Sequence, residues 1–264
     1  MSKADTKPFS ASVDMNEVAY YAQRAHTWWD EHGPFWPLHR LNALRVDYLK
    51  RELATAFDRN PDSPQPLADL EVLDVGCGGG LLAEAMAALG ARVHGIDVVE
   101  GNILTARHHA RSRPYRITYD ITTIEELARG TQRYDVVLTL EVVEHVADLA
   151  GFMAACTRVV KPGGILAVAT INRTWRSWLF AIVGAEYVLR WLPRGTHQWR
   201  KFVRPRFLRQ LLDAHGFEVF AARGVRINPL NRRFSTTSDL SVNYMLLATR
   251  TNAAVSPIAT GTTQ

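Results

Sequence analysis

From Leu70 onward, short compact apolar runs alternate with stretches in which apolar residues recur every three or four positions. The runs Leu70–Val75, Arg92–Ile96, Tyr134–Leu140 and Ile165–Thr170 read as strands, with a weaker one at Ile117–Tyr119. Between them Leu81–Leu89, Asn102–Ala110 and Leu149–Val160 read as helices, and Pro162-Gly163-Gly164 as a turn. The pattern ends with a helix at Pro205–His215, a strand at Phe217–Ala222 and a last strand at Asn243–Thr249. Strands separated by helices need right-handed crossovers, so the sheet is mostly parallel and covered on both faces. The expectation is an α/β fold with seven strands, one of them antiparallel at the edge.

Ahead of that unit, Glu17 to about Phe57 has a helical pattern broken at Gly33-Pro34. The proline-rich stretch Asn60–Pro66 suits no regular element and reads as a linker. Residues 1–13 and 251–264 lack periodicity and read as disordered tails. The division expected is therefore tail 1–13, helical segment 14–59, main domain 60–250 with an insertion at about 173–200, and tail 251–264. No stretch of about 18 apolar residues occurs to span a bilayer. Two distant cysteines, Cys77 and Cys156, form no disulfide framework and suit a reducing cytoplasm.

The first strand runs into Asp74-Val75-Gly76-Cys77-Gly78-Gly79-Gly80 and then a helix. Glycines let the chain turn tightly and let a ligand approach backbone, and amides at the following helix N-terminus favour a negative group. Asp97 ends the second strand, 21 residues after Gly76. An acid at that spacing accepts hydrogen bonds from ribose hydroxyls, the blander alternative being a cap on the next helix. A dinucleotide dehydrogenase would carry Gly-x-Gly-x-x-Gly, whereas here Gly76, Gly78 and Gly80 alternate.

Asp74-x-Gly76-x-Gly78-x-Gly80 resembles the first motif of class I S-adenosylmethionine methyltransferases, whose fold is Rossmann-like. The Asp135-Val136-Val137 strand and the Lys161-Pro162-Gly163-Gly164 turn fit the same family. Further stretches resemble the bacterial ubiquinone-biosynthesis O-methyltransferases more narrowly. They include Trp28-Trp29-Asp30, Pro37-Leu38-His39-Arg40-Leu41-Asn42, Glu141-Val142-Val143-Glu144-His145-Val146, Ile171-Asn172-Arg173-Thr174 and Val242-Asn243-Tyr244-Met245. The likeness covers roughly Asp14 to Ala248. It implies methyl transfer from S-adenosylmethionine to ring hydroxyls of polyprenyl phenols and catechols, at two steps of one pathway. It also implies a possible quinone-biosynthesis complex as partner, and Arg45, Gly76, Gly78, Asp97 and Leu140 as cofactor contacts. A guanidinium such as Arg45 can fork onto the cofactor's carboxylate, and Leu140 would wall the adenine. Two segments depart from the family pattern, Val99-Glu100-Gly101-Asn102 and Asp120-Ile121-Thr122.

Glu141-x-x-Glu144-His145 follows the fourth strand, at the end of such sheets where ligands bind. A phenol must shed its proton to a nearby base or under the pull of a cation. The resemblance implies a divalent ion, Mg²⁺ or Zn²⁺, on Glu141, Glu144 and His145. The alternatives are His145 as general base without metal, and a polar loop bonded only to backbone.

The net charge of +5 is local. Nine basic residues lie between Asn172 and Arg209 against the single acid Glu186, together with four of the seven tryptophans. Trp178, Ile182, Ala185, Leu189 and Leu192 recur at helical spacing, flanked by Trp and Arg. That pattern suits a helix in a membrane interface with arginines towards anionic headgroups, at the inner face of the plasma membrane. A lid over the active site, a dimer contact or an RNA-binding surface are the competing readings. Overall, the rivals to the quinone enzyme are a methyltransferase of other small catechols and a non-catalytic, cofactor-binding scaffold.

Overall fold

The computed structural model describes residues 12–174, 202–228, 231 and 233–251. The chain starts with helix α1 (Met15–Ala22), a 3₁₀ turn at Ala25–Thr27 and the long helix α2 (Trp36–Ala56). Pro37 suits the first turn of α2, where a missing N–H costs nothing. The α/β unit then runs β1 (Glu71–Val75), α3 (Leu81–Ala88), β2 (Arg92–Asp97), α4 (Glu100–Ala110) and β3 (Ile117–Ile121). It continues with α5 (Ile124–Leu127), β4 (Tyr134–Leu140), α6 (Leu149–Arg158) and β5 (Val160–Ile171). Helix α7 (Pro205–Ala214) and strands β6 (Phe217–Asn228), β7 (Arg233–Thr237) and β8 (Asn243–Arg250) complete it.

The sheet order is β3-β2-β1-β4-β5-β8-β6-β7. Strands β1 to β5 pair in parallel, while β8 runs antiparallel to both β5 and β6. The order reverses between β1 and β4, so a crevice opens at the carboxyl ends of these strands. Both faces are covered, which is why the strands read as continuous apolar runs. Val72, Val136 and Leu138 pack with Leu49, Leu53, Met86 and Ile103 from α2, α3 and α4. Leu73, Val137 and Leu166 pack with Ile124, Met153, Leu208 and Leu212 from α5, α6 and α7.

The architecture agrees with the α/β expectation, with three differences of detail. Eight strands are present among the described residues, because β6 continues to Asn228 and returns as β7. The last strand, β8, therefore lies inside the sheet, and β7 takes the edge. Pro162-Gly163-Gly164 is not a free turn but part of β5, where the register with β4 shifts between Tyr134 and Val136. Gly163 absorbs this irregularity with φ +73°. The helical break at Gly33-Pro34 holds, since α2 starts at Trp36. Most of the basic, tryptophan-rich insertion, 175–200, lies outside the described residues.

A polar chain links three strands of the sheet, β4, β2 and β3. Nδ1 of buried His94 is 2.6 Å from the Tyr134 hydroxyl, and Nε2 is 3.0 Å from Asp120 Oδ2. One of the segments that departs from the family pattern, Asp120-Ile121-Thr122, thus serves the fold here. Tyr134→Phe keeps the ring and strands the buried His94 nitrogen, at a cost of about 1–3 kcal/mol. The midpoint of urea unfolding should fall with the slope unchanged; an unaltered midpoint would show that the bond contributes nothing.

Candidate active site

Glycine spacing matters first for packing within the protein. Gly78 (φ +54°) and Gly79 lie beneath the indole of Trp28; a Cβ on either would sit 2.5 Å or 2.4 Å from that ring. Gly76 (φ +70°) similarly abuts Val142, 2.6 Å from where its Cβ would be. Beyond the approach of a ligand, these positions are bare because Trp28 and Val142 occupy the space.

Trp28 is held on both sides. Its ring stacks on Phe35 with centroids 4.1 Å apart, and its Nε1 donates to Asn102 Oδ1 at 2.8 Å. Asn102 belongs to the second departing segment, Val99-Glu100-Gly101-Asn102, so that departure is tied to the position of Trp28. Tyr21 lies nearly parallel to Trp28 at 6.4 Å and meets His145 edge-on at 5.7 Å. An aromatic series thus runs from the glycine loop to the end of β4.

Asp97 closes β2 and is buried. Its Oδ2 accepts from the Gly78 amide at 2.9 Å and its Oδ1 from the Val99 amide at 2.8 Å. Since Val99 precedes α4, the capping alternative is met in part, while the Gly78 contact ties the acid to the loop. Burial raises the Asp97 pKa against these amide bonds. Its neighbour Asp74 is fully buried, and desolvation with the Asp97 charge pushes it up to about 8. A backbone bond from Ala83, in the first turn of α3, opposes that shift in the way helix N-termini favour anions.

The far wall is Leu140-Glu141 at the end of β4. Glu141 adopts φ +60°, the left-handed region that an L-residue enters only when its surroundings impose it. Its Oε1 receives a hydrogen bond from the Arg45 guanidinium, and Arg45 itself is buried on α2. Glu144 is buried and accepts from the Thr170 hydroxyl at 2.7 Å. Burial and the Glu141 charge raise its pKa. Burial pulls the His145 pKa down, but Glu17, Glu144 and Glu141 outweigh it, so the imidazole is a stronger base than usual.

Arg45, Gly76, Gly78, Asp97, Leu140, Glu141 and His145 all border one cavity of about 220 Å³ at the strand carboxyl ends. The fold thus brings these seven together, and Glu144 lies just behind them. Glu17 and Tyr21, which no motif marked, line the same cavity, as does Asn42 at the end of the Pro37–Asn42 stretch. Trp28 does so too, and its double-tryptophan motif was the visible signal. The expected metal set is not assembled. Among the described residues no three His, Cys, Asp or Glu side chains are placed to hold an ion. Glu141 is turned to a guanidinium and Glu144 to a hydroxyl, so the three side chains do not converge as a ligand set.

The cavity does fit the parts of S-adenosylmethionine. Arg45 offers a cation for a carboxylate, Asp97 an acceptor for ribose hydroxyls, and Leu140 an apolar wall.

A model described as "Methyltransferase domain" matches residues 38–222. The chain is 48% identical to the ubiquinone biosynthesis O-methyltransferase of Dinoroseobacter shibae over 240 residues, covering 90% of this chain and 97% of that protein. It is likewise 48% identical over 239 residues to the enzyme of that name from Sinorhizobium fredii, covering 90% and 96%. Among solved structures, magnesium protoporphyrin IX methyltransferase from Synechocystis shares the fold, with TM-score 0.61 and 19% identity over 90% of this chain and 96% of that one. With β1 to β5, the glycine loop and the β4 end in the places described, the chain belongs to the S-adenosylmethionine-dependent methyltransferases, in the ubiquinone biosynthesis O-methyltransferase family.

Proposed function

We propose that the protein methylates ring hydroxyls of polyprenylated phenols and catechols on the route to ubiquinone, with His145 as general base. One observation carries this reading: the base, the ribose acid Asp97 and the Arg45 cation border a single cavity. S-adenosylmethionine supplies a methyl group on a sulfonium sulfur, which departs as a neutral thioether when the phenol oxygen attacks. The protein's part is alignment and proton removal. Arg45 holds the carboxylate end of the cofactor, Asp97 its ribose in the middle, and Leu140 limits its adenine. His145 accepts the phenol proton and passes it to solvent after turnover. The carboxylates of Glu17, Glu144 and Glu141 stabilise the imidazolium that forms.

The reading extends to membrane contact through residues 173–200, supported by the charge and tryptophan pattern of the sequence. No helix among the described residues is long and apolar enough to cross a bilayer. A lipid-dissolved prenyl tail would then be met at the membrane surface.

Four outcomes are expected. Mass spectrometry of a prenylated catechol incubated with S-adenosylmethionine should show one added methyl, formed faster than on the unprenylated ring. His145→Gln should lower kcat about 10²–10⁴-fold. Equal rates on both catechols would remove the lipid substrate, and wild-type turnover by the variant would remove the base. In calorimetry, Asp97→Asn should weaken S-adenosylmethionine binding about 10-fold, equivalent to the loss of one charged hydrogen bond. An unchanged Kd would take the ribose role from Asp97. Liposomes with anionic lipid should sediment the protein, and replacing Arg190 and Arg194 with Glu should weaken this. Undiminished sedimentation of that variant would count against the interfacial role.

A further inference from the structure

The glycine loop is gripped from two sides. Asp97 takes the amide of Gly78, while the carbonyl of Gly79 accepts from Trp29 Nε1 at 2.9 Å. Trp29 in turn lies flat on the imidazole of His109, with centroids 3.5 Å apart and planes 8° from parallel. His109 stands in the last turn of α4, and its Nδ1 donates to Glu84 Oε1 at 2.7 Å. Glu84 is buried in the first turn of α3, the helix into which the glycine loop runs. A closed circuit results, from loop to indole to imidazole to carboxylate and back to the loop through α3. Trp29, His109 and Glu84 do not border the cavity, so the circuit holds the loop from behind.

We infer that His109 is a positioning residue for S-adenosylmethionine: held by Glu84, its ring face fixes Trp29, and the Trp29 N–H fixes the Gly79 peptide in the cofactor-binding conformation. The inference rests on the glycine loop holding the cofactor, and it adds a determinant of binding that does not touch it. Gly78, Gly79 and Gly80 have no side chains with which to pack, and glycine loses more conformational freedom on ordering than any other residue. Gly78 and Gly80 also stand at φ +54° and +88°, and glycine enters negative φ as readily as positive. Such a loop stays in one conformation only when its peptide groups are held from outside. The Glu84 bond sets the plane of the imidazole, and stacking on that plane sets the indole. Ordering the loop before the cofactor arrives removes the cost of ordering it from the binding step.

The test is calorimetry with S-adenosylmethionine and kinetics with a prenylated catechol, both on the full chain. His109→Ala should raise the Kd and the KM for S-adenosylmethionine about 5- to 10-fold, the effect of weakening one hydrogen bond of the loop. The kcat at saturating cofactor should stay within about 2-fold, since the reacting groups are untouched. Trp29→Phe, which keeps a ring and removes the N–H, should raise the Kd by a similar factor, and the two changes together should raise it no further than either alone. His109→Gln retains a planar group and a donor for Glu84, and should recover most of the affinity. An unchanged Kd in His109→Ala, or losses that multiply in the double variant, would overturn the inference, because His109 would then not act through Trp29. So would a fall in kcat with KM unaltered, or a Kd that follows melting temperature across the variants without recovery in His109→Gln. Failure of the unsubstituted chain to bind S-adenosylmethionine would instead remove the cofactor site on which the inference rests.

Discussion

The indole of Trp28 rests where two side chains are missing, and much of the site follows from that contact. Ridding Gly78 and Gly79 of Cβ atoms allows a segment from outside the α/β unit to lie directly on its cofactor loop. Burying such a ring contributes on the order of a few kcal/mol, and its N–H must find a partner once buried. Asn102 provides it from α4, so one side chain ties together the N-terminal segment, the glycine loop and the helix beyond Asp97. Phe35 closes the other face just before α2 begins. Arg45, farther along α2, borders the same cavity.

A second constraint is electrostatic. Asp74, Asp97 and Glu144 are buried acids at the carboxyl ends of neighbouring strands, where burial penalises charge. Each is compensated differently: Asp97 by amides of Gly78 and Val99, Asp74 by the start of α3, Glu144 by Thr170 and the neighbouring imidazole. These compensations are directional, so they fix the loop and the β4 end more tightly than apolar packing would. A site that must align an oxygen, a methyl carbon and a sulfur gains from that rigidity, because small misplacements are costly in such displacements.

The parts legible in the sequence are those with a local signature. Compact apolar strands, the alternating glycines and the acid closing β2 are each encoded within a few residues, and all stand where expected. Leu140, Glu141 and His145 were legible for the same reason, being fixed by the end of one strong strand. What stayed hidden depends on distant partners. Nothing near Glu17 or Tyr21 signals that α1 will fold back onto β4, since a single helical turn looks the same on any surface. The β6–β7 hairpin escaped because its strand Arg233–Thr237 is polar and half-exposed, without the apolar run that marks an inner strand. The metal expectation came from the family resemblance of the Glu141, Glu144 and His145 motif. Ligation also needs the donors to converge, and whether Glu141 faces a cation or an arginine cannot be read from Glu-x-x-Glu-His.

The division of labour between the two parts of the chain has a physical reason. The strand ends can present backbone amides and short acids at fixed spacing, which suits a cofactor whose shape never changes. They cannot enclose it, because the crevice of an open sheet faces outward. The N-terminal helices supply the missing wall: Arg45 from α2, Glu17 and Tyr21 from α1. His145 sits at the seam, with its backbone on the β4 side and its ring between the two α1 side chains. An imidazole placed there is held by the same contacts that shut the cavity. Orientation of the imidazole and closure over the substrate therefore depend on one docking event, the seating of α1 and Trp28 on the glycine loop.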